Sequence, residues 1–241
     1  MSLGCSCSIG RRWPSYDTLS GMHLTVVVEN RAGPGCSGAH GFAAWLEAGP
    51  AVVLVDTGPD PDLLAQNATA LGLDLGRVEA VVLSHGHDDH SGGLPAIAQA
   101  VAGRRVPVFL HPAAIRERWS LQHAVPHAIG MPEAARSALA GPALEAQWTE
   151  QATAIRPGLR CTGAIPRVSC EDVGARFACD VAGTVPDDIP DDQALVLTTT
   201  AGLVIITGCC HAGLINTLAA IRLSWGEHPI RAVIGGLHLH K

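Results

Sequence analysis

Short runs of aliphatic and β-branched residues recur along the chain, separated by stretches that are rich in Gly, Pro and polar residues. Runs of this length and composition are typical of buried β-strands. We therefore predict strands over residues 24–28, 51–55, 80–83, 106–110, 194–197, 203–206 and 232–234.

Helical spacing of apolar residues lies between several of these strands. Residues 61–71 carry apolar side chains at positions 63, 64, 68 and 71, and Asp60 is placed to cap the helix N-terminus. Residues 94–101 and 214–223 also follow a helical pattern. The alternation of strands and helices predicts an α/β fold in which sheets are covered by helices.

The composition indicates a globular protein with a substantial core. Hydrophobic residues make up 47% of the 241 positions and charged residues 16%. The net charge of −6 argues against a surface that binds nucleic acid. No apolar run reaches the ~18 residues that span a bilayer, and no signal peptide is recognisable, so we expect a cytoplasmic protein that does not bind membranes.

The cysteines do not form a recognisable zinc-finger or disulfide pattern. None of the eight belongs to a pair of Cys-x-x-Cys motifs, and Cys5 and Cys7 are too close in sequence for an ordinary structural disulfide. We expect reduced thiols, as is usual for cytoplasmic proteins.

The densest group of potential metal ligands follows the strand predicted at residues 80–83. Residues 85–90 read His-Gly-His-Asp-Asp-His, and a Gly-Gly-Leu sequence then opens the next helix. Residues two apart in an extended backbone point the same way, so His85 and His87 can share one metal ion. Asp89 and His90 follow the turn toward the helix and can face a second ion. Nitrogen and carboxylate ligands suit Zn²⁺, with Fe and Mn as alternatives.

Other predicted strands also end at residues that bind or orient metal ions. Asp56 follows the second strand and can accept the second N–H of a metal-bound His, although turn Asp residues are common. The last two strands lead to Cys209 and His211 and to His238. We predict both His residues as ligands, whereas Cys209 is either a ligand or a small buried apolar side chain.

These residues resemble the metallo-β-lactamase superfamily. The resemblance is carried by Asp56-Thr57-Gly58, by residues 84–94 and by Thr207-Gly208-Cys209. The closer resemblance is to the branch of 7,8-dihydropterin-6-methyl-4-(β-D-ribofuranosyl)aminobenzene-5′-phosphate synthases of methanopterin biosynthesis. The stretches that resemble this branch are 40–42, 109–112, 162–167, 191–195, 207–213 and 235–239.

The resemblance implies an αββα sandwich of two mixed sheets flanked by helices, with two divalent metal ions at one edge between the sheets. It implies one domain over residues 1–241, in which residues 119–192 form a variable insert near the active site. The ligands that it implies are His85 and His87 for the first ion, and Asp89, His90 and His238 for the second.

The chain departs from the family pattern at several positions. The superfamily His on an earlier strand of the second half has no match near residues 161–167, and we expect His211 to take its role. Cys209 stands where many members have a bridging Asp, and Ala39 stands where the branch usually has Glu. The branch continues beyond the position of Lys241 through a closing helix and strand, which we expect to be absent from this chain.

The implied function is that of a metal-dependent hydrolase. Two metal ions would lower the pKa of a shared water, and the resulting hydroxide would attack a small anionic ester or phosphoester. We expect Asp89 and Asp56 to support catalysis, Asp89 by orienting the hydroxide. His40 and Arg167 are either contacts for an anionic substrate group or structural loop residues.

Two alternative functions remain open at this stage. A dihydropterin-type synthase would use the same metal site to drive a condensation. A catalytically weak metal-binding or redox protein would use Cys209 and Cys210 as a thiol switch. In each of the enzyme hypotheses the expected partner is a small anionic molecule.

Overall fold

The computed structural model describes residues 22–101, 103–171 and 176–238. Cys5 and Cys7, which we predict to be reduced thiols, lie outside these residues. The six described cysteines are free thiols. No helix within the described ranges is long and apolar enough to cross a membrane.

Strands and helices alternate through most of the chain. The strands are β1 (Met22–Val28), β2 (Ala43–Ala48), β3 (Ala51–Val55), β4 (Ala80–Val82), β5 (Val106–Leu110), β6 (Trp119–Ser120), β7 (His127–Ala128), β8 (Leu144–Trp148), β9 (Thr153–Arg156), β10 (Leu159–Cys161), β11 (Phe177–Ala178), β12 (Ala194–Thr199), β13 (Gly202–Thr207) and β14 (Ile230–Gly235). The α-helices are α1 (Pro61–Ala70), α2 (Asp88–Ser91), α3 (Leu94–Ala100), α4 (Glu133–Ala140) and α5 (Leu214–Trp225).

The strands form two large sheets and one small sheet. The first large sheet has the order β1-β2-β3-β4-β5-β8, and the second has the order β14-β13-β12-β10-β9. Strands β3, β4, β5 and β8 are parallel, as are β13 and β14. Parallel strands end at the same edge of a sheet, so the loops that follow β3 and β4 lie side by side.

The two large sheets pack face to face, and helices cover their outer faces. Val53 and Val55 of β3 belong to a core that also holds apolar residues of β10, β12 and β13. Val52 and Leu54 point to the opposite face, where α1, α3 and α4 pack. Helix α5 covers the other face of the second sheet. This four-layer arrangement confirms the predicted α/β fold of mixed sheets flanked by helices.

The predicted strands and helices all occur, with ends that differ from the prediction by at most two residues. Residues 119–192 contain more regular structure than their sequence pattern indicates. This segment supplies α4 and the large-sheet strands β8, β9 and β10, as well as the small sheet with the order β11-β6-β7. The small sheet lies beside the loop that follows β4, because His87 and Gly130 form an isolated β-bridge.

Candidate metal centre

Asp56 lies at the end of β3 and accepts hydrogen bonds from the segment that follows β4. Its backbone adopts φ +55°, a left-handed conformation that is uncommon outside glycine, and its side chain is fully buried. The carboxylate accepts from the Ser84 backbone N–H at 2.6 Å and from the Ser84 hydroxyl at 2.7 Å. It also lies 2.7 Å from Nδ1 of His90.

These contacts fix the proton positions on two imidazoles. Because Ser84 Oγ gives its proton to Asp56, it accepts the Nδ1–H of His85, at 2.9 Å. His90 donates its Nδ1–H directly to Asp56. Nε2 therefore carries the free lone pair in His85, and also in His90 when that ring is neutral, which is the state that a metal ligand needs.

The first group of potential metal ligands consists of three imidazole rings, those of His85, His87 and His211. His85 Nε2 lies 3.0 Å from His87 Nδ1 and 3.2 Å from His211 Nε2. Burial, reinforced by the neighbouring imidazoles, holds the pKa values of His85 and His211 well below 6.5. Burial and Arg118 lower the pKa of His87 to about 3. Neutral, closely spaced ring nitrogens fit a bound cation, because their lone pairs otherwise face one another.

A second group of ligand atoms adjoins the first. His90 Nε2 lies 3.1 Å from Cys209 Sγ and 3.5 Å from Asp89 Oδ2. Burial opposes ionisation of both His90 and Asp89. Even so, Cys209 and Asp89 raise the pKa of His90, and His90 lowers that of Asp89. This donor set of nitrogen, carboxylate and thiolate fits a borderline cation such as Zn²⁺.

His85 lies close to potential ligand atoms of both groups. The ligand atoms of His85, Asp89 and His90 lie within 4.8 Å of one another, and so do those of His85, Cys209 and His211. A cation in each group would therefore lie near its neighbour.

His238 lies in the segment that follows β14 and contacts the first group through His211. Its backbone is left-handed, with φ +46°, and its ring centroid lies 4.7 Å from that of His211. Left-handed conformations outside glycine concentrate at functional sites. The structure thus brings together seven of the predicted site residues in the segments that follow β3, β4 and β13. They are Asp56, His85, His87, Asp89, His90, Cys209 and His211, with His238 beside them.

A cavity of about 570 Å³ opens onto these groups. It is lined by His40, Pro59, His87, Asp88, Asp89, Ser120, Gln122, His123, His127, Ile129, Phe177, Cys209, His211 and His238. The Phe177 ring packs edge-on against His87 and His211, with centroid distances of 5.0 and 5.6 Å. The cavity therefore has an aromatic wall beside the first group.

The two predicted substrate contacts differ in position. His40 is largely exposed, lines the cavity, and places Nε2 3.4 Å from Asp89 Oδ2. Arg167 is exposed and donates to the carbonyl oxygen of Asp188 at 2.6 Å. Arg167 is not among the residues that line the cavity, so the structure does not bring it to the metal centre.

A buried ion pair supports the loop that follows β4 and carries His85 and His87. The Asp191 carboxylate accepts the Gly86 backbone N–H at 2.8 Å and binds Arg118 through both of its oxygens. Arg118 also contacts Asp187 at 2.8 Å, although it is 99% buried. A Cβ at Gly86 would lie 1.9 Å from the Ala114 carbonyl oxygen, so only glycine fits there.

The next two residues, Asp192 and Gln193, connect this segment to both large sheets through hydrogen bonds. Asp192 accepts the backbone N–H of Ala212 at 2.7 Å, and burial raises its pKa to about 7. Gln193 donates to the Leu83 carbonyl at 2.8 Å, and its backbone N–H donates to the Ser84 carbonyl at 2.9 Å. This segment therefore fixes the spacing between the loops that carry His85 and His211.

Several of these residues have no role that their sequence pattern predicts. Arg118 and Phe177 are isolated in regions without periodicity, and their contacts arise only in the tertiary structure. Ser84 belongs to a stretch that resembles the superfamily, and Asp191 to one that resembles the synthase branch. A polar residue directly before a ligand loop is the signal that could have pointed to Ser84 as a proton acceptor.

Comparisons with known proteins agree with this geometry. Residues 39–201 match the family model described as the metallo-beta-lactamase superfamily. A 7,8-dihydropterin-6-methyl-4-(beta-D-ribofuranosyl)-aminobenzene-5'-phosphate synthase of Methanocaldococcus jannaschii is 26% identical over 196 residues, which are 78% of this chain. The match covers 65% of that synthase, less than two thirds of its length.

Two further similarities cover most of the chain. The uncharacterized protein MJ0448 of Methanocaldococcus jannaschii is 30% identical over 221 residues, which cover 90% of this chain and 79% of that protein. The crystal structure of Tm1679, a metal-dependent hydrolase of the beta-lactamase superfamily, matches with a TM-score of 0.75 and 29% identity. That match covers 91% of this chain and 78% of the other.

Proposed function

The chain belongs to the metallo-beta-lactamase superfamily, and we propose that it is a metal-dependent hydrolase with a dinuclear centre that acts on a small anionic ester or phosphoester. Proteins of this superfamily are generally enzymes that bind divalent metal ions. The similarity to Tm1679, which is described as a metal-dependent hydrolase, supports hydrolysis as the reaction.

The observation that carries the proposal is the convergence of two ligand groups on one cavity. His85, His87 and His211 would hold the first ion through three ring nitrogens. The second ion would be held by a different set, namely Asp89, His90, Cys209 and His238. We propose Zn²⁺ for both positions, because a mixed nitrogen, carboxylate and thiolate set suits it.

Two divalent cations bound here would supply Lewis-acid chemistry, activating water and stabilising negative charge that develops on the substrate. The protein would supply the order of the site. Asp56 holds the protons of the His90 ring and of the Ser84 hydroxyl, so that the metal-facing nitrogens of His85 and His90 remain free.

The groups around the cavity would position substrate and exclude water. Phe177 and Ile129 present apolar surface next to His87, which limits the access of bulk water to the first group. His40 lies beside the Asp89 carboxylate, 3.4 Å away, at a position from which it could hydrogen-bond an anionic substrate group. We propose that this residue contributes to substrate binding.

The proposal can be tested by metal analysis combined with hydrolysis assays. We expect about two metal ions per chain by elemental analysis, and turnover of bis(4-nitrophenyl) phosphate or of a 4-nitrophenyl carboxylic ester after reconstitution. The His87→Ala variant should lose metal and activity, whereas His228→Ala, an exposed His between α5 and β14, should retain both. Two bound ions without hydrolysis of any ester would contradict the hydrolase function.

A pterin-type synthase is the second candidate, and the similarity to the Methanocaldococcus jannaschii synthase favours it. Such an enzyme would use the same ligands to drive a condensation. Assays with dihydropterin and aminobenzene-phosphate precursors separate the two candidates. Product formation from these precursors, together with an absence of ester hydrolysis, would support the synthase.

A further inference from the structure

Two histidines that are not part of the metal centre line the outer wall of the cavity. His123 and His127 lie on the hairpin formed by β6 and β7, with ring centroids 5.6 Å apart and an angle of 35° between the ring planes. Both residues are exposed and both line the cavity. Among the described residues, neither ring makes a hydrogen bond to the protein, so their ring nitrogens are available to a ligand.

The hairpin is fixed to the loop that carries His87. The Asp88 backbone N–H donates to the Ile129 carbonyl at 2.8 Å, and His87 bridges Gly130. Pairing of Ser120 with His127 holds the other side of the hairpin. These backbone bonds set a definite position of the histidine pair relative to the metal ligands.

Away from the metal centre, this pair shares the lining of the cavity with the polar side chains of Ser120 and Gln122. None of the described lining residues is Lys or Arg. Asp88 is the charged residue next to His127, and its Oδ1 accepts the Asp89 backbone N–H at 2.9 Å. Each imidazole offers at least one N–H donor in either protonation state.

We propose that His123 and His127 together bind a second anionic group of the substrate, a carboxylate or a phosphate, at a distance from the bond that is cleaved. The proposal deepens the hydrolase function and rests on it. Two neighbouring N–H donors can bind two oxygens of one carboxylate or phosphate. Phe177 lines the same cavity and packs against His87, so the substrate class is an anionic ester that also carries an apolar or planar portion.

The test compares two esters that differ only in the remote anion, 4-nitrophenyl hemiglutarate and its methyl ester. In the His123→Ala/His127→Ala variant, which lacks the N–H donors, we expect KM for hemiglutarate to rise about tenfold, with kcat within about twofold of the unsubstituted protein. KM for the methyl ester should not change. His228→Ala is the matched control, and metal content should be equal in all three proteins.

Competitive inhibition by glutarate and by glycerol 3-phosphate shows which anion the pair prefers, and the double variant should be inhibited less by at least one of them. Equal KM ratios for the two esters in the double variant and the unsubstituted protein would overturn the proposal.

A binding experiment keeps this test independent of the hydrolase activity. Inorganic phosphate added to the metal-free protein should shift the imidazole NMR resonances of His123 and His127 but not that of His228. If the protein hydrolyses neither ester, the proposed function fails while this titration still tests the anion site. Absence of a shift at both histidines would overturn the anion site even in an active enzyme.

Discussion

The Asp56 carboxylate and the His90 imidazole are joined by a 2.7 Å hydrogen bond, with both side chains buried. The same carboxylate binds the Ser84 hydroxyl, which in turn accepts from His85 at 2.9 Å. One carboxylate therefore sets the proton positions of an imidazole in each ligand group. Because Asp56 contacts the imidazole nitrogens that face away from the ligand groups, it can influence an ion bound in either group without contacting that ion.

Replacing Asp56 by Asn should weaken metal binding at both positions. An amide group has one oxygen in place of two, and its NH₂ would face Ser84 or His90, both of which donate to this side chain. We expect metal affinity to fall about 10- to 100-fold, as is typical when a hydrogen-bond partner of a metal-binding His is lost. Competition with a chelator measures the change.

The matched control for this variant is Asp60→Asn. Asp60 caps α1 through backbone N–H groups of Asp62 and Leu63, and Asn caps helices about as well as Asp. Equal metal affinity in the Asp56→Asn and Asp60→Asn proteins would contradict the role assigned to Asp56.

The sequence was sufficient for the fold class and for the position of the His-rich loop at the candidate centre, because both depend on local patterns. Asp56 illustrates this: an apolar strand that ends in Asp-Thr-Gly indicates a carboxylate at the edge of a sheet. Arg118 illustrates the opposite case. Its partners are 69 and 73 positions further along the chain, at Asp187 and Asp191, and no local spacing encodes that contact.

Strand β2 was missed for a different reason. It reads Ala-Ala-Trp-Leu-Glu-Ala, with no β-branched residue, and it is buried because β1 and β3 pair with it on both sides. Propensity is a weak guide where pairing decides the conformation. The small sheet was missed because its strands have two residues each, too short for any periodicity.

Gly86→Ala should disrupt the metal loop. The added Cβ would lie 1.9 Å from the Ala114 carbonyl oxygen, and because the clash is with backbone, the loop itself must move. We expect the unfolding free energy to fall by about 1–3 kcal/mol and the metal content to fall with it. Chemical denaturation and elemental analysis measure the two effects.

Gly33→Ala provides the comparison, because a Cβ at Gly33 meets no atom within 4 Å. Its stability and metal content should equal those of the unsubstituted protein. A Gly86→Ala protein with unchanged stability would contradict this prediction, because the loop would then accommodate the added Cβ without loss of unfolding free energy.

Asp191→Asn should destabilise the protein strongly. It leaves the buried guanidinium of Arg118 with Asp187 as its remaining carboxylate partner. Removal of one partner from a buried ion pair costs about 3–5 kcal/mol, because a desolvated charge loses its compensation. Denaturation of the metal-free protein measures the loss, and Asp188→Asn, an exposed neighbour, should be neutral within about 0.5 kcal/mol.

The two adjacent cysteines should differ in reactivity. Cys209 is partly exposed in the cavity, whereas Cys210 is buried and lies 3.4 Å from the Thr217 hydroxyl. Burial raises the pKa of Cys210 to about 11, so at pH 8 it remains an unreactive thiol. Iodoacetamide at pH 8 should modify Cys209 of the metal-free protein and spare Cys210, as read by mass spectrometry of peptides.

Bound metal should protect Cys209 from the same reagent. Comparable modification of Cys209 and Cys210 would contradict this assignment and favour the thiol-switch hypothesis, in which both thiols are accessible to oxidants.

Asp192 should make stability fall as pH rises. Burial raises the pKa of this carboxyl to about 7, whereas an unfolded Asp titrates near 3.9. The folded state therefore binds more protons than the unfolded state between about pH 4 and pH 7. Its contribution to stability is fully present below about pH 4 and is lost as pH rises through 7.

Asp192→Asn removes this titration while an amide oxygen can still accept the Ala212 N–H. We therefore expect the unfolding free energy of the variant, relative to the unsubstituted protein, to increase by on the order of 1–4 kcal/mol from pH 5 to pH 8. Denaturation of both metal-free proteins across this range measures the difference, with exposed Asp62→Asn as the control. Parallel pH profiles for the Asp192→Asn and unsubstituted proteins would mean that Asp192 is ionised in the folded state, so that its hydrogen bond to Ala212 outweighs the cost of burial.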